Sequence, residues 1–179
     1  KPISYGIVQT GENIINGITY VQVEDSHRAL AIMAANFYAN PSEDLKLVGI
    51  TGTNGKTTVS TLLYNLFIKS GFPTGLISTV KIMVMETEYP TSLTTPDPLT
   101  INRYLREMVD AGVEFCFMEV SSHGIDQKRS LGLHFIGGVF TNLSHDHLDY
   151  HKDFAEYRDV KKSFFDYLPI SSFSLVNVD

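Results

Sequence analysis

Between Lys46 and Ser70 the sequence changes character within a few residues. The apolar run Leu47-Val48-Gly49-Ile50 halts at Thr51-Gly52-Thr53-Asn54-Gly55, and Lys56-Thr57-Thr58 opens a segment of helical periodicity. A strand that feeds a helix through glycines builds a phosphate cradle. Glycine lets backbone N–H groups close around oxygen, the helix N-terminus adds partial positive charge, and a lysine adds a full one. A hydroxyl directly after the lysine suits Mg²⁺. Gly52, Thr53, Asn54, Gly55, Lys56, Thr57 and Thr58 are therefore the expected nucleoside triphosphate site. Where the strict P-loop pattern has its first glycine this chain has Ile50, with glycines at Gly49 and Gly52 instead. The competing reading is an ordinary strand-to-helix turn with a chance Gly-Lys-Thr.

The rest of the chain is read around that turn. Tyr5–Gln9 and Ile18–Val23 read as short strands, and Asp25 or Ser26 caps a helix that runs to Phe37 and ends before Pro41. A domain boundary is expected near residues 40–46, with residues 1–43 as part of a small α/β domain and 44–179 as the nucleotide domain. Beyond it, strands are expected at Lys46–Thr51, Thr74–Ser78, Phe115–Val120, His134–Thr141 and Ser172–Val178. Helices are expected at Lys56–Ser70, from Asp97-Pro98 to Gly112, and at Asp153–Leu168. The first of these carries Val59, Leu62, Leu63, Leu66 and Phe67 as its apolar face, and Thr79–Glu88 reads as an edge hairpin. Alternating strands and helices imply an α/β fold, a P-loop-type mostly parallel sheet with helices on both faces. Ligands of such sheets bind beyond the carboxyl ends of the strands.

Composition narrows the partners. Of 179 residues, 43% are hydrophobic and 19% charged, which is a globular rather than a disordered balance. A net charge of −6 without a dense Lys/Arg run argues against a nucleic-acid surface. No apolar run approaches the roughly 18 residues a membrane span needs. The one cysteine, Cys116, sits in an apolar strand as a buried thiol, which fits a cytoplasmic setting. The sequence opens on Lys1 rather than Met, so the natural beginning is expected upstream.

Polar clusters fall at the predicted strand ends. Glu119 ends a buried strand and reads as a magnesium ligand beside Thr57, or else as a cap on the turn after it. Ser121-Ser122-His123 suggests a serine hydrolase, but no Gly-x-Ser-x-Gly elbow is present, so substrate-binding hydroxyls are the better reading. Gln127 and Arg129 follow, and a guanidinium there would clamp a carboxylate or phosphate unless it is a solvated surface charge. The run Asn142–His151 is dense in His and Asp; zinc is possible, magnesium beside a P-loop simpler. At most one or two of its histidines are expected to act, the others lying at the surface or in local hydrogen bonds. By spacing alone, Lys161 and Lys162 both read as surface lysines.

Five motifs in order, Gly52–Thr58, Thr94-Thr95-Pro96-Asp97-Pro98, Met118–Gly124, Thr141–His151 and Tyr157-x-x-x-Lys161, resemble the Mur ligase family from about Val21 onward. The resemblance implies the family's central domain and an ATP-dependent amide-bond ligase that works through an acyl phosphate. It implies ATP and Mg²⁺ as cofactors, and as substrates UDP-MurNAc-L-Ala-D-Glu with an amino acid, diaminopimelate or lysine. It assigns Lys56 to the phosphates, Thr57 and Glu119 to the ATP-bound magnesium, His147 to a second ion, and Lys161 to a carbamylated lysine ligand. Thr94, Thr95, Ser121, Gln127 and Arg129 fall where the family binds the UDP-linked dipeptide, and His145 receives no role. It further implies that a C-terminal domain is missing here and that this fragment alone is inactive. A folylpolyglutamate synthase-like ligase shares the P-loop but is disfavoured by the Thr-Thr-Pro loop and the Arg129 cluster. A non-catalytic nucleotide-binding module is the reading from another class.

Overall fold

The computed structural model describes residues 5–9, 15, 16, 18–144 and 150–178. Strands β1 (Tyr5–Val8) and β2 (Thr19–Gln22) pair in parallel as a separate ribbon. Helix α1 (Ser26–Phe37) follows, capped by Asp25, whose carboxylate accepts from the Arg28 N–H. Its alanine face, Ala31, Ala34 and Ala35, is buried, and α1 lies against the later helix α3 (Pro98–Asp110). A 3-10 turn at Pro41–Glu43 then leads into the main sheet.

That sheet has seven strands in the order β6-β5-β4-β7-β3-β8-β9. Here β3 is Lys46–Thr51, β4 Thr74–Ile77, β5 Ile82–Val84, β6 Thr87–Tyr89, β7 Phe115–Glu119, β8 Phe135–Phe140 and β9 Phe173–Val176. β4, β7, β3, β8 and β9 run parallel, and β5 and β6 form the expected antiparallel edge hairpin. β3 lies between β7 and β8, so chain order reverses around it and a crevice opens at its carboxyl end. Helix α2 (Lys56–Lys69) covers one face, packing Val59, Leu63, Tyr64 and Phe67 on Val48, Ile50, Leu76 and Phe117. The opposite face is covered by α3, with Ile101, Leu105 and Met108, and by α5 (Phe154–Asp166), with Phe164. Strands sandwiched in this way need apolar residues on both faces, which is why β3, β4 and β7 read as nearly unbroken apolar runs.

Three features depart from the sequence reading. Leu62 and Leu66 of α2 are 62% and 58% exposed, and the buried stripe runs through Ser60 and Tyr64. Apolar residues encircle too much of α2 for periodicity to fix its orientation. Tyr64 buries its ring and donates its hydroxyl to the Met85 carbonyl at 2.7 Å. Secondly, the segment after β7 forms a short helix, α4 (Ser122–Asp126), which lacks the length to show a period. Lys161, thirdly, is 2% exposed rather than a surface lysine, while Lys162 is exposed and pairs with Asp166.

No helix among the described residues is long and apolar enough to cross a membrane. Cys116 is fully buried, and burial pushes its thiol pKa up, so the group stays neutral and unreactive.

Asp97 caps α3, accepting from Leu99 N–H at 3.0 Å and Thr100 N–H at 3.1 Å. Burial raises its pKa, but hydrogen bonds from Thr100 and Leu99 outweigh that and hold the carboxyl below its ordinary value. Replacing Asp97 by Ala is expected to cost about 0.5–2 kcal/mol at pH 7 in denaturant unfolding. Because the folded carboxyl is the stronger acid, the wild type loses this advantage as pH falls through its depressed pKa. The gap between the two proteins therefore narrows in acid. A gap that widened there would contradict the cap.

Candidate functional site

The turn between β3 and α2 is built from backbone geometry that side chains would obstruct. Gly52 has φ +142°, and a Cβ there would meet Thr141 Oγ1 at 2.0 Å. Gly55, the residue before α2, has φ +84°, and a Cβ on it would find nothing closer than Thr141 at 4.0 Å. Only the first glycine is demanded by crowding; the second is demanded by the left-handed backbone alone. The N-terminus of α2 thus faces open space, where an anion would meet the partial positive charge of the helix end.

Residues after β8 hold the turn from the side. Thr53 N–H donates to the Asn142 carbonyl at 2.9 Å, Asn54 N–H to Asn142 Oδ1 at 3.0 Å, and Thr141 Oγ1 to the Asn54 carbonyl at 2.6 Å. Helix α5 holds it from below. Tyr157, fully buried, brings its hydroxyl within 3.1 Å of Thr53 Oγ1, which also accepts from Ser144 N–H at 3.0 Å. One helical turn on, Lys161 Nζ donates to the Gly52 carbonyl at 2.9 Å. Lys56 Nζ donates to the same carbonyl at 3.0 Å and to that of Thr53 at 2.8 Å. Two ammonium groups therefore converge on one loop oxygen. Thr57 is half-buried and Thr58 exposed.

Glu119, completely buried at the end of β7, points into the same crevice. Its Oε2 accepts from Thr57 Oγ1 at 3.1 Å and from Thr79 Oγ1 at 3.0 Å, and its Oε1 from Thr79 N–H at 2.9 Å. It does not cap the following turn; Ser121 does that, accepting from Gly124 N–H at 3.1 Å. A buried carboxylate is tolerated only with such partners, and this one takes them from the P-loop and from the edge beyond β4. Thr79, read from the sequence only as the start of an edge hairpin, is a full member of the site. It carries no motif, and only the chain's path after β4 brings it to Glu119.

A third group adjoins Glu119. Thr95 is buried, donates its hydroxyl to the Glu119 carbonyl at 3.0 Å, and accepts from Ser121 N–H at 2.9 Å. A Cβ on Gly124 would strike the Thr95 side chain at 2.7 Å, so this close approach requires glycine. Thr94, half-buried, has its hydroxyl 3.0 Å from Thr79 Oγ1 and donates to it when the Thr79 proton lies on Glu119. Arg129 donates from Nη1 to the Thr95 carbonyl at 2.6 Å, and from Nη2 and Nε to Gln127 Oε1 at 2.6 and 3.0 Å. It is not a solvated surface charge but a fixed, half-buried guanidinium.

His145 and His147 lie outside the described residues, as do Asp146 and Asp149, so the structural part of the zinc or second-magnesium reading falls there. His151 corrects an expectation. It is 3% exposed, packs beside Tyr157 with ring centroids 5.2 Å apart, and its Nε2 has no partner among the described residues. Within those residues no group of three His, Cys, Asp or Glu gathers as for a closed metal site. The Thr57 hydroxyl with the Glu119 carboxylate is nonetheless a donor set suited to Mg²⁺, which takes few protein ligands and keeps phosphate and water oxygens.

The crevice, then, joins a glycine turn at a helix head to a hydroxyl–carboxylate pair on one side and a guanidinium on the other. The family model for the Mur ligase middle domain matches residues 50–179, and the chain belongs to that family. At 56% identity over 166 residues it is similar to a UDP-N-acetylmuramoyl-L-alanyl-D-glutamate--2,6-diaminopimelate ligase of Bacteroides fragilis, covering 93% of this chain and 34% of that protein. A solved structure described by the same ligase name superposes with a TM-score of 0.79 at 27% identity, over 97% of this chain and 34% of the other. A Mycobacterium tuberculosis folylpolyglutamate synthase complexed with ADP superposes at 0.70 and 17% identity, over 85% and 41%, a likeness of fold alone. The chain spans about a third of the length of the curated relatives it matches.

Removing the Tyr157 hydroxyl with Tyr157→Phe leaves the ring packed but loosens Thr53. Thermal unfolding is expected to show a loss of about 0.5–1.5 kcal/mol. Unchanged stability would mean the contact does not hold the loop.

Proposed function

We propose that the full-length protein bearing this chain is an ATP-dependent ligase of peptidoglycan precursor synthesis. It joins 2,6-diaminopimelate, the amino acid named for its relatives, to the D-glutamate carboxylate of UDP-MurNAc-L-Ala-D-Glu. The reading is carried by one observation: a P-loop lysine, a buried carboxylate bonded to the P-loop threonine, and a fixed guanidinium share one crevice. Residues 44–179 are then the central ATP-binding domain, residues 1–43 the end of the uridine-nucleotide domain, and the setting is cytoplasmic.

The chemistry needs two anions brought together, a carboxylate and a triphosphate. Within the Gly52–Thr58 turn, the N–H groups at the head of α2 and the Lys56 ammonium bind the phosphates, Thr53 and Asn54 N–H staying on Asn142, and Lys56 exchanges its loop carbonyls for phosphate oxygens as it does so. Thr57 and Glu119 would hold Mg²⁺, which when bound offsets phosphate charge. Arg129, with Gln127, Thr94, Thr95 and Ser121, orients the acid substrate so that its carboxylate meets the γ-phosphorus. The carboxylate oxygen forms a bond to phosphorus and ADP leaves. The amine then adds to the acyl phosphate carbon, inorganic phosphate departs, and the amine's proton passes to solvent. Lys161, carbamylated, and His147 would serve a second Mg²⁺. The carbamate forms when the lysine amine adds to CO₂ and releases one proton.

In the full-length protein, ligation with UDP-MurNAc-L-Ala-D-Glu, diaminopimelate, ATP and Mg²⁺ should be robust, while a reduced folate should not serve as acid substrate. Lys56→Ala should weaken ATP binding at least about tenfold, the worth of a charge-assisted hydrogen bond. Lys161→Ala should abolish turnover and any response to bicarbonate. Activity with folate, or a Lys161→Ala protein as active as wild type, would refute the reading.

A further inference from the structure

The turn that follows α4 presents Gln127 and Arg129 to the crevice, and the residue between them points elsewhere. Lys128 has φ +55°, a left-handed backbone that a non-glycine residue adopts at a cost. Gln127 and Arg129 bond to each other on one side of the turn, while Lys128 sends its ammonium the other way, onto Asp25 at the head of α1. The two partners are 103 residues apart in sequence.

The turn is tied back to α4 by Lys128 N–H on the Ile125 carbonyl at 2.9 Å and Arg129 N–H on the Gly124 carbonyl at 2.8 Å, but behind it the packing is open. A cavity of about 460 Å³ lies there, lined by Ile125, Lys128, Leu131, His134, Phe135 and Phe164 among others. The side of the turn opposite Arg129 therefore meets space rather than close-packed core. Asp25, in contrast, is well anchored. One carboxylate oxygen caps α1 through Arg28 N–H at 2.9 Å, and α1 is seated on α3 by its buried alanines. The hydrogen bond from Lys128 also holds the Asp25 carboxyl below its ordinary pKa.

We propose that Lys128 is a positioning residue: by bridging the cavity to Asp25 it fixes the Gln127–Arg129 turn at the height where Arg129 receives the anionic acid substrate. This rests on the reading of Arg129 as a substrate contact. The bridge is partly exposed, with 41% and 27% of its two side chains accessible, and pairs of that kind add little to global stability. Its effect belongs on substrate binding rather than on folding.

The test uses two variants of the full-length ligase that each remove the bridge and spare its surroundings. Asp25→Asn keeps a capping oxygen for α1. Lys128→Gly suits the left-handed backbone. Each is expected to raise the KM for UDP-MurNAc-L-Ala-D-Glu about two- to tenfold, leaving the KM for ATP within about twofold and the melting temperature nearly unchanged. The double variant should be no worse than either single one, because both delete the same contact. Lys128→Arg should restore the wild-type KM. An unchanged KM for the acid substrate, additive losses in the double variant, or an equal rise in the KM for ATP would overturn the proposal. Arg129→Ala separates the two levels. If it leaves the KM for the acid substrate unchanged, the reading of the substrate site falls and this proposal with it. If it raises that KM and the bridge variants do not, only the bridge is refuted.

Discussion

The carbonyl of Gly52 is the point at which the molecule's parts meet. Lys56 reaches it from α2 and Lys161 from α5, and the residue bearing it has a backbone that Thr141 leaves no room to decorate. The two side chains reach that oxygen from different helices, so both helices are tied to the loop through it. An anion arriving at the head of α2 meets the Lys56 side chain and the partial positive charge of the helix end.

Everything else in the fold serves to bring those tethers to one place. Parallel strands put all their carboxyl ends on one edge, and the reversal of order around β3 separates the loops there into a crevice. β7 delivers Glu119 to one side of the P-loop, and β8 delivers Thr141, Asn142 and Ser144 to the other. α5 returns beneath, with Tyr157 and Lys161 spaced one turn apart so that both touch the loop. The apolar strands needed for burial between helices and the polar ends needed for binding are two consequences of the same topology.

Much of this was legible in the chain because the signals are local. Asp25, Asp97 and Asp153 each precede a helix and each caps it, and Gly71 and Gly112 follow helices with positive φ. The P-loop glycines, Lys56, Thr57 and Glu119 were legible because a strand end, a turn and a hydroxyl in sequence imply their neighbours. What escaped was set by distant packing. The burial of Lys161 depends on α5 lying under a loop 109 residues away, and Thr79 becomes a ligand of Glu119 only because a hairpin edges β4. The exposure of Leu62 and Leu66 depends on how α2 is rolled on the sheet, which a helix apolar on several sides does not specify. His151 lies beneath Tyr157, a position its motif does not encode.

The most direct test is a crystal structure of the full-length protein with a non-hydrolysable ATP analogue and Mg²⁺. The account predicts the terminal phosphates in the Gly52–Thr58 turn against the N–H groups at the head of α2, Lys56 moved onto them, and a cation about 2.0–2.1 Å from Thr57 Oγ1 with Glu119 beside it. A triphosphate bound away from this loop, or a cation remote from both Thr57 and Glu119, would contradict it.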